Sequence, residues 1–335
     1  AYRFAESAQH QREALAFDAN FMPARLQLCH DLLRLGQEDE AWKLAESIRT
    51  DDGYNTQAHN IGLLEQEMST YSTHDAKGFR LRMTQRDWDV FGSRAVELLS
   101  EAKAQLGSKY GHSFDTARPT LVEFFPSQQD FAIRTFGALG GQGLLGVCFG
   151  TVITMNSPGG LAHGRNNWES TLWHEFCHVV TLSQTQNKMP RWLSEGISVY
   201  EEGLHNPVWG MAMNADFRRM ILEENATTPV GQLSSAFLNA KSSDHLMFAY
   251  FESSQVVAYL LEQFGTAKLQ EILRDLASGK HINEALEKNT LALGKLEKDF
   301  GQYLRSKAEA FGSAADWKKP EPKEVNPLDN KSLTE

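Results

Sequence analysis

The stretch Trp168-Glu-Ser-Thr-Leu-Trp-His-Glu-Phe-Cys-His-Val-Val-Thr-Leu-Ser-Gln-Thr185 carries the run His174-Glu175-Phe176-Cys177-His178 at its centre. Read as a helix, it sets His174 and His178 one turn apart on one face, because residues four apart stack along the axis. Two imidazoles so placed can grip one metal ion. Glu175 is rotated by roughly 100° from His174, off the shared face yet within reach of a water on the metal. A base beside a Lewis acid is the chemistry of metal-assisted hydrolysis, and the H-E-x-x-H spacing points to zinc.

Downstream, Val179 to Met189 ends in the polar run Ser183-Gln-Thr-Gln-Asn-Lys188, long enough to fold the next segment back across the motif. Pro190 then opens a second helix, Arg191-Trp-Leu-Ser-Glu-Gly-Ile-Ser-Val-Tyr-Glu-Glu202, since proline suits a first helical turn. A catalytic zinc takes three protein ligands and keeps one position for water, and Glu195 is placed to be the third. Gly196 beside it permits the close approach this requires. Glu201 and Glu202 read as a solvated helix end, with a carboxylate that orients an imidazole as the second option. Cys177 lies off the ligand face and reads as core. His163, His205 and His281 have no partner at ligand spacing.

Upstream, Asp87 to Leu106 reads as one long amphipathic helix with Trp88, Phe91, Ala95, Leu98, Leu99 and Ala102 on its apolar side. Thr120-Leu-Val-Glu-Phe-Phe125 reads as a strand, and Ser127 as the cap of a short helix through Phe131 and Phe136. Gly141, Gly143 and Gly146 satisfy G-x-G-x-x-G, but the β-branched Val147 to Met155 follows where a dinucleotide fingerprint needs a helix. That segment reads instead as a buried or edge strand, and an exposed edge can take an extended peptide. Beyond Gly203 the pattern is helical, with pieces over His245 to Phe264, Thr266 to Ala277, Ile282 to Asn289 and Leu293 to about Phe311. Strands early and helices late give an α+β class, mostly helical with a small mixed sheet.

The first residues read as helical hairpins. Pro23 opens a helix through Ala24, Leu28, Leu32 and Leu35 that Gly36 stops, Glu38 to Ile48 forms the next, and Tyr71 to Gly78 reads as a polar boundary. Ala24 and Ala58 stand 34 residues apart, the tetratricopeptide period. The expected organisation is helical repeats over 1–72, a catalytic domain over 73–312 and a linker or disordered tail over 313–335.

The formal net charge of -10 and pI of about 5.6 argue against a broad nucleic-acid or anionic-membrane footprint. Cys29, Cys148 and Cys177 are odd in number and widely spaced, which fits buried free thiols. Thr135 to Gly164 lacks charged residues but is too rich in glycine for a spanning helix. The start, Ala1-Tyr-Arg-Phe-Ala-Glu6, lacks the apolar core of a signal peptide, and the chain reads as part of a longer one. Cytoplasm and periplasm both remain open.

Phe131 to Leu261 resembles the gluzincin peptidases, and more closely the peptidase MA-like domain found attached to tetratricopeptide repeats. The resemblance is carried by His174-Glu-Phe-Cys-His178, by Pro190-Arg-Trp-Leu-Ser-Glu-Gly196 with Val199-Tyr-Glu201, and by Leu145-Gly-Val-Cys-Phe-Gly150 and Tyr250-Phe-Glu-Ser253. The segment Pro23-Ala24-Arg25-Leu26 to Glu40-Ala41-Trp42 is similar to the repeat. The resemblance implies a zincin-like fold, Zn2+ held by His174, His178 and Glu195, and Glu175 as general base and acid. Sixteen residues lie between His178 and Glu195, a little fewer than in thermolysin-like enzymes.

It also implies a Tyr or His beyond the third ligand as donor to the oxyanion, for which Tyr250 is preferred over His245. The G-A-M-E-N motif of aminopeptidases is not seen, which favours an endopeptidase acting on a peptide or protein. The helical repeats imply a protein partner. The competing expectation is a repeat-based binding scaffold with a catalytically silent zincin domain. A structural metal site would need a fourth protein ligand, and none is evident.

Overall fold

The structure is a computed structural model, and it describes residues 3–115, 117–140, 143–160, 167–315 and 317. It opens with four helices, α1 (Phe4–Phe17), α2 (Met22–Arg34), α3 (Glu38–Asp51) and α4 (Thr56–Met68). Each packs on the next through small buried residues, among them Ala24, Ala41, Ala45 and Ala58. Asn55 caps α4 by accepting the Ala58 N–H at 3.0 Å.

The expected polar boundary is in fact a hairpin, β1 (Ser72–Ala76) and β2 (Phe79–Met83). Lys77 and Gly78 turn it at φ 52° and 87°, the left-handed pair a two-residue I′ turn requires. Alternation in Phe79, Leu81 and Met83, all buried, is the period-2 signal of a half-buried strand. Downstream the expected long helix is interrupted. Gln85–Asp87 (α5) leads into a π-helical turn over Trp88–Gly92 before α6 (Ser93–Tyr110). The Trp88 ring lies over Gly92, where a Cβ would come within 2.4 Å of it, and the ring also stacks on His74 at 3.6 Å.

Next come β3 (Thr120–Phe125), α7 (Gln128–Phe136), β4 (Gly146–Cys148) and β5 (Val152–Asn156). The strand expected over Val147 to Met155 is therefore a second hairpin, turned at Gly150 with φ 102°, a conformation glycine adopts without strain. The sheet order is β1-β2-β3-β5-β4, with β2, β3 and β5 parallel and the two hairpins antiparallel. All residues of β3 and β5 are buried, which is why they read as continuous apolar runs rather than alternating ones.

The remaining helices are α8 (Trp168–Gln184), α9 (Arg191–His205), α10 (Ala215–Leu222), α11 (Leu233–Leu238), α12 (Ser243–Ala277), α13 (Ile282–Asn289) and α14 (Leu293–Ala310). Helix α12 is broken at Gly265, φ 77° and ψ 169°, where the sequence divides it too. Gly196 does permit a close approach, but to α12 rather than to the motif helix. A Cβ there would lie 2.6 Å from the Ser253 carbonyl oxygen. The fold is thus α+β, mostly helical with one small mixed sheet. Among the described residues no helix is long and apolar enough to cross a membrane. Cys29, Cys148 and Cys177 are free and buried.

Two apolar cores result. One joins α1–α4 to Phe125, Phe131 and Ile133; the other fills the space between the sheet and the later helices. Buried charges lie where they meet. Arg134 of α7 bonds Glu123 of β3 at 2.8 Å and Glu38 of α3 at 3.2 Å, while Arg82 of β2 bonds Glu123 at 3.1 Å and also Glu38.

A second buried carboxyl stands alone. Glu252 on α12 accepts the Thr228 N–H at 2.8 Å through one oxygen, and its other oxygen has no protein partner. Burial pushes its carboxyl up to about 8, against a reference of 4.5. Between those values the folded chain holds a proton the unfolded chain has lost, so this group makes stability fall as pH rises through the window. Glu252→Gln is expected to exceed the parent in urea-unfolding stability by more than about 1 kcal/mol at pH 8, and to match it near pH 4. Equal midpoints at pH 8 would refute a protonated Glu252.

Candidate active site

Helix α8 begins where Asn167 accepts the N–H groups of Glu169 and Ser170, and its apolar residues lock it into the core. His174 and His178 project from one face with Nε2 atoms 3.1 Å apart. Pro190 starts α9, which carries Glu195 back across them. Its Oε2 lies 3.2 Å from His174 Nε2 and 3.4 Å from His178 Nε2, so one ligand atom from each of the three residues falls within 4.8 Å of the others. Sequence spacing thus placed all three in one cluster.

The other ring nitrogens are occupied. His174 Nδ1 meets Glu202 Oε1 at 2.5 Å, and the Ser170 hydroxyl donates to Glu202 Oε2 at 2.5 Å. His178 Nδ1 meets the hydroxyls of Ser194 and Ser198 at 2.8 and 3.3 Å. Both Nε2 atoms are thereby turned toward Glu195. Two imidazole nitrogens and a carboxylate, each imidazole anchored through its far nitrogen, form a donor set that fits a zinc ion.

Glu201 and Glu202 are accordingly no solvated helix end. Glu201 is buried, taking the Tyr110 hydroxyl at 2.5 Å and Lys109 at 2.6 Å. The signal for Glu202 was its seven-residue offset from Glu195, two turns along the same face.

Burial opposes charge throughout the cluster, and neighbours decide the outcome. Desolvation would lower His174, but Glu202 and Glu195 outweigh it and hold the imidazole well above its ordinary value. Glu195 is likewise penalised by burial, yet the hydrogen bonds and charges of His174 and His178 keep it far below the usual carboxylate range. Glu175 is buried with less compensation and is pushed up, the direction a proton acceptor needs near neutral pH.

A cavity of about 350 Å³ opens over these groups, lined also by Leu144, Gly146, Val147, Arg191 and Tyr250. Gly146 on β4 lies so near Glu175 that a Cβ there would stand 2.8 Å from the Glu175 Cγ. β4 is the edge strand and β5 is internal, so only the first part of the expected strand platform can face a ligand. Tyr250 does reach the cavity, where its hydroxyl accepts from Arg191 Nη2 at 3.1 Å. Burial and Glu195 raise its phenol, which keeps the O–H in place as a donor.

His245 does not reach the site. It sits at the start of α12 against Ser242 and lines a different cavity with Ala249 and Glu252. Cys177 is core, as expected. His205 stacks on Trp173 at 3.8 Å, and His163 lies outside the described residues. Arg191 was not singled out from the sequence, although its i,i+4 spacing to Glu195 was visible.

No curated protein matches the chain. Residues 145–306, from the start of β4 into α14 and including every residue of the cluster, match the family model of the Peptidase MA superfamily.

Proposed function

We propose that this protein is a zinc metallopeptidase, an endopeptidase, with His174, His178 and Glu195 as ligands and Glu175 as general base. The observation that carries the reading is the convergence of His174 Nε2, His178 Nε2 and Glu195 Oε2 beside a buried carboxyl. Zinc bound there supplies a Lewis acid that polarises a peptide carbonyl and acidifies water.

The chain's own residues do the rest. Glu175 takes the proton of the attacking water and returns it to the leaving amine. Tyr250 donates its O–H to the developing oxyanion. Glu202, Ser194 and Ser198 fix the two imidazoles, and β4 offers main-chain groups to an extended peptide. Helices over 1–72 act as tetratricopeptide-like repeats that recruit a protein, 73–312 is the catalytic domain, and 313–335 is the tail, of which residues 316 and 318–335 lie outside the described residues.

A catalytically silent zincin domain is the second reading. It leaves unexplained why a carboxyl is kept buried at the Glu175 position, next to an edge strand and a phenol. The test is direct. The full chain is expected to bind one zinc and to cleave an unstructured protein, with cleavage lost on chelation and restored by Zn2+. A protein that binds no zinc would overturn the whole site.

A further inference from the structure

Among the described residues, Arg191 is the only lysine or arginine lining the active-site cavity, against three carboxylates in the same wall, Glu175, Glu195 and Glu202. Its side chain is half exposed, 50%, unlike those three. The guanidinium is held on three sides. Nε lies 3.5 Å from Glu195 Oε1, Nη2 donates to Tyr250 at 3.1 Å, and Cζ stands 5.0 Å over the Phe237 ring of α11. A guanidinium carries five N–H donors in a rigid plane, and among the described residues Nη1 has no hydrogen-bond partner. A fixed, partly desolvated cation with free donors at the mouth of a cleft is built to take a carboxylate in paired N–H···O contacts.

Resting on the peptidase reading above, we infer that Arg191 reads a carboxylate of the substrate, so that the site selects peptides with an acidic side chain or a free C-terminus beside the bond to be cut. The same contact explains how Tyr250 is presented. With its oxygen accepting from Arg191, the phenol's single O–H is left to point into the cavity. Arg191 is therefore a specificity residue toward substrate and a positioning residue toward Tyr250.

The test uses the full chain loaded with zinc. Blocked peptides identical except for Glu or Gln are scanned position by position, and a second pair carries a free or an amidated C-terminus. Binding to the Glu175→Gln protein is measured by calorimetry, and cleavage by the parent is followed in parallel. At one position, or at the free C-terminus, the carboxylate peptide is expected to bind about tenfold or more tightly. That preference should shrink to within about twofold in Arg191→Met and Arg191→Gln. The two variants guard against a folding defect in either, and the outcome says which carboxylate source is read.

Equal binding of every acidic and neutral pair to the Arg191 protein, no binding of any peptide, or a preference that survives both substitutions would each overturn the inference. The peptidase reading fails separately. A carboxylate preference in binding with no cleavage by the parent sinks hydrolysis and leaves Arg191 as the reader. Cleavage without preference does the reverse.

Discussion

Glu175→Gln is expected to retain zinc and fold and to lose peptide hydrolysis by about a hundredfold to ten-thousandfold, the range a positioned general base contributes. The proposed ligands His174, His178 and Glu195 are untouched by the change, and amide and carboxylate have nearly the same shape, so metal content should stay at the parent value. Burial favours the neutral form of Glu175, so a neutral amide adds no desolvation cost. The loss should therefore fall on kcat more than on KM. Single-turnover cleavage with matched zinc content measures it. Activity within about tenfold of the parent would remove Glu175 from the role of base.

Arg134→Met carries the largest expected loss of stability. Arg134 and Glu123 are both essentially inaccessible, at 1% and 0%, and Arg134 bonds both Glu123 and Glu38. Its removal strands two carboxylates on Arg82 alone. Breaking a buried ionic group by deleting one partner costs about 3–5 kcal/mol, because the remaining charge keeps its desolvation penalty without its compensation. Urea unfolding of the variant should show a loss of that size, and Arg134→Met combined with Glu123→Gln should recover part of it. A loss below about 1 kcal/mol would mean that the four groups are solvated in solution.

The three residues of the cluster were legible because H-E-x-x-H encodes its geometry locally. Helical spacing fixes His174 against His178, and a proline-started helix fixes Glu195 soon after. Glu202 was legible only as the second of two options for a helix-end carboxylate and Arg191 was not singled out, since contacts between helices fix what each does. A carboxylate at the end of an amphipathic helix looks solvated until the helix opposite supplies Ser170 and the His174 ring. The hairpin of β1 and β2 was hidden for a different reason. Ser72-Thr-His-Asp-Ala76 is polar, and only pairing with β2 makes it a strand. The short β4 and β5 were merged because both are apolar, and Gly150 alone marks the turn. Gly92 gave no local hint of the π turn, which depends on where the Trp88 ring settles.

The contact of Gly196 with Ser253 leaves no slack between α9 and α12, where even one methyl group would collide with main chain. Glu195 and Tyr250 sit one and three residues from that contact. Their backbones therefore belong to one closely packed wall, and shifting one against the other would mean prising α9 and α12 apart. On the proposed peptidase reading, widening of the cleft to admit a peptide is expected at the opposing wall, the short β4 edge and the segment from Gly143 to Leu145 leading into it.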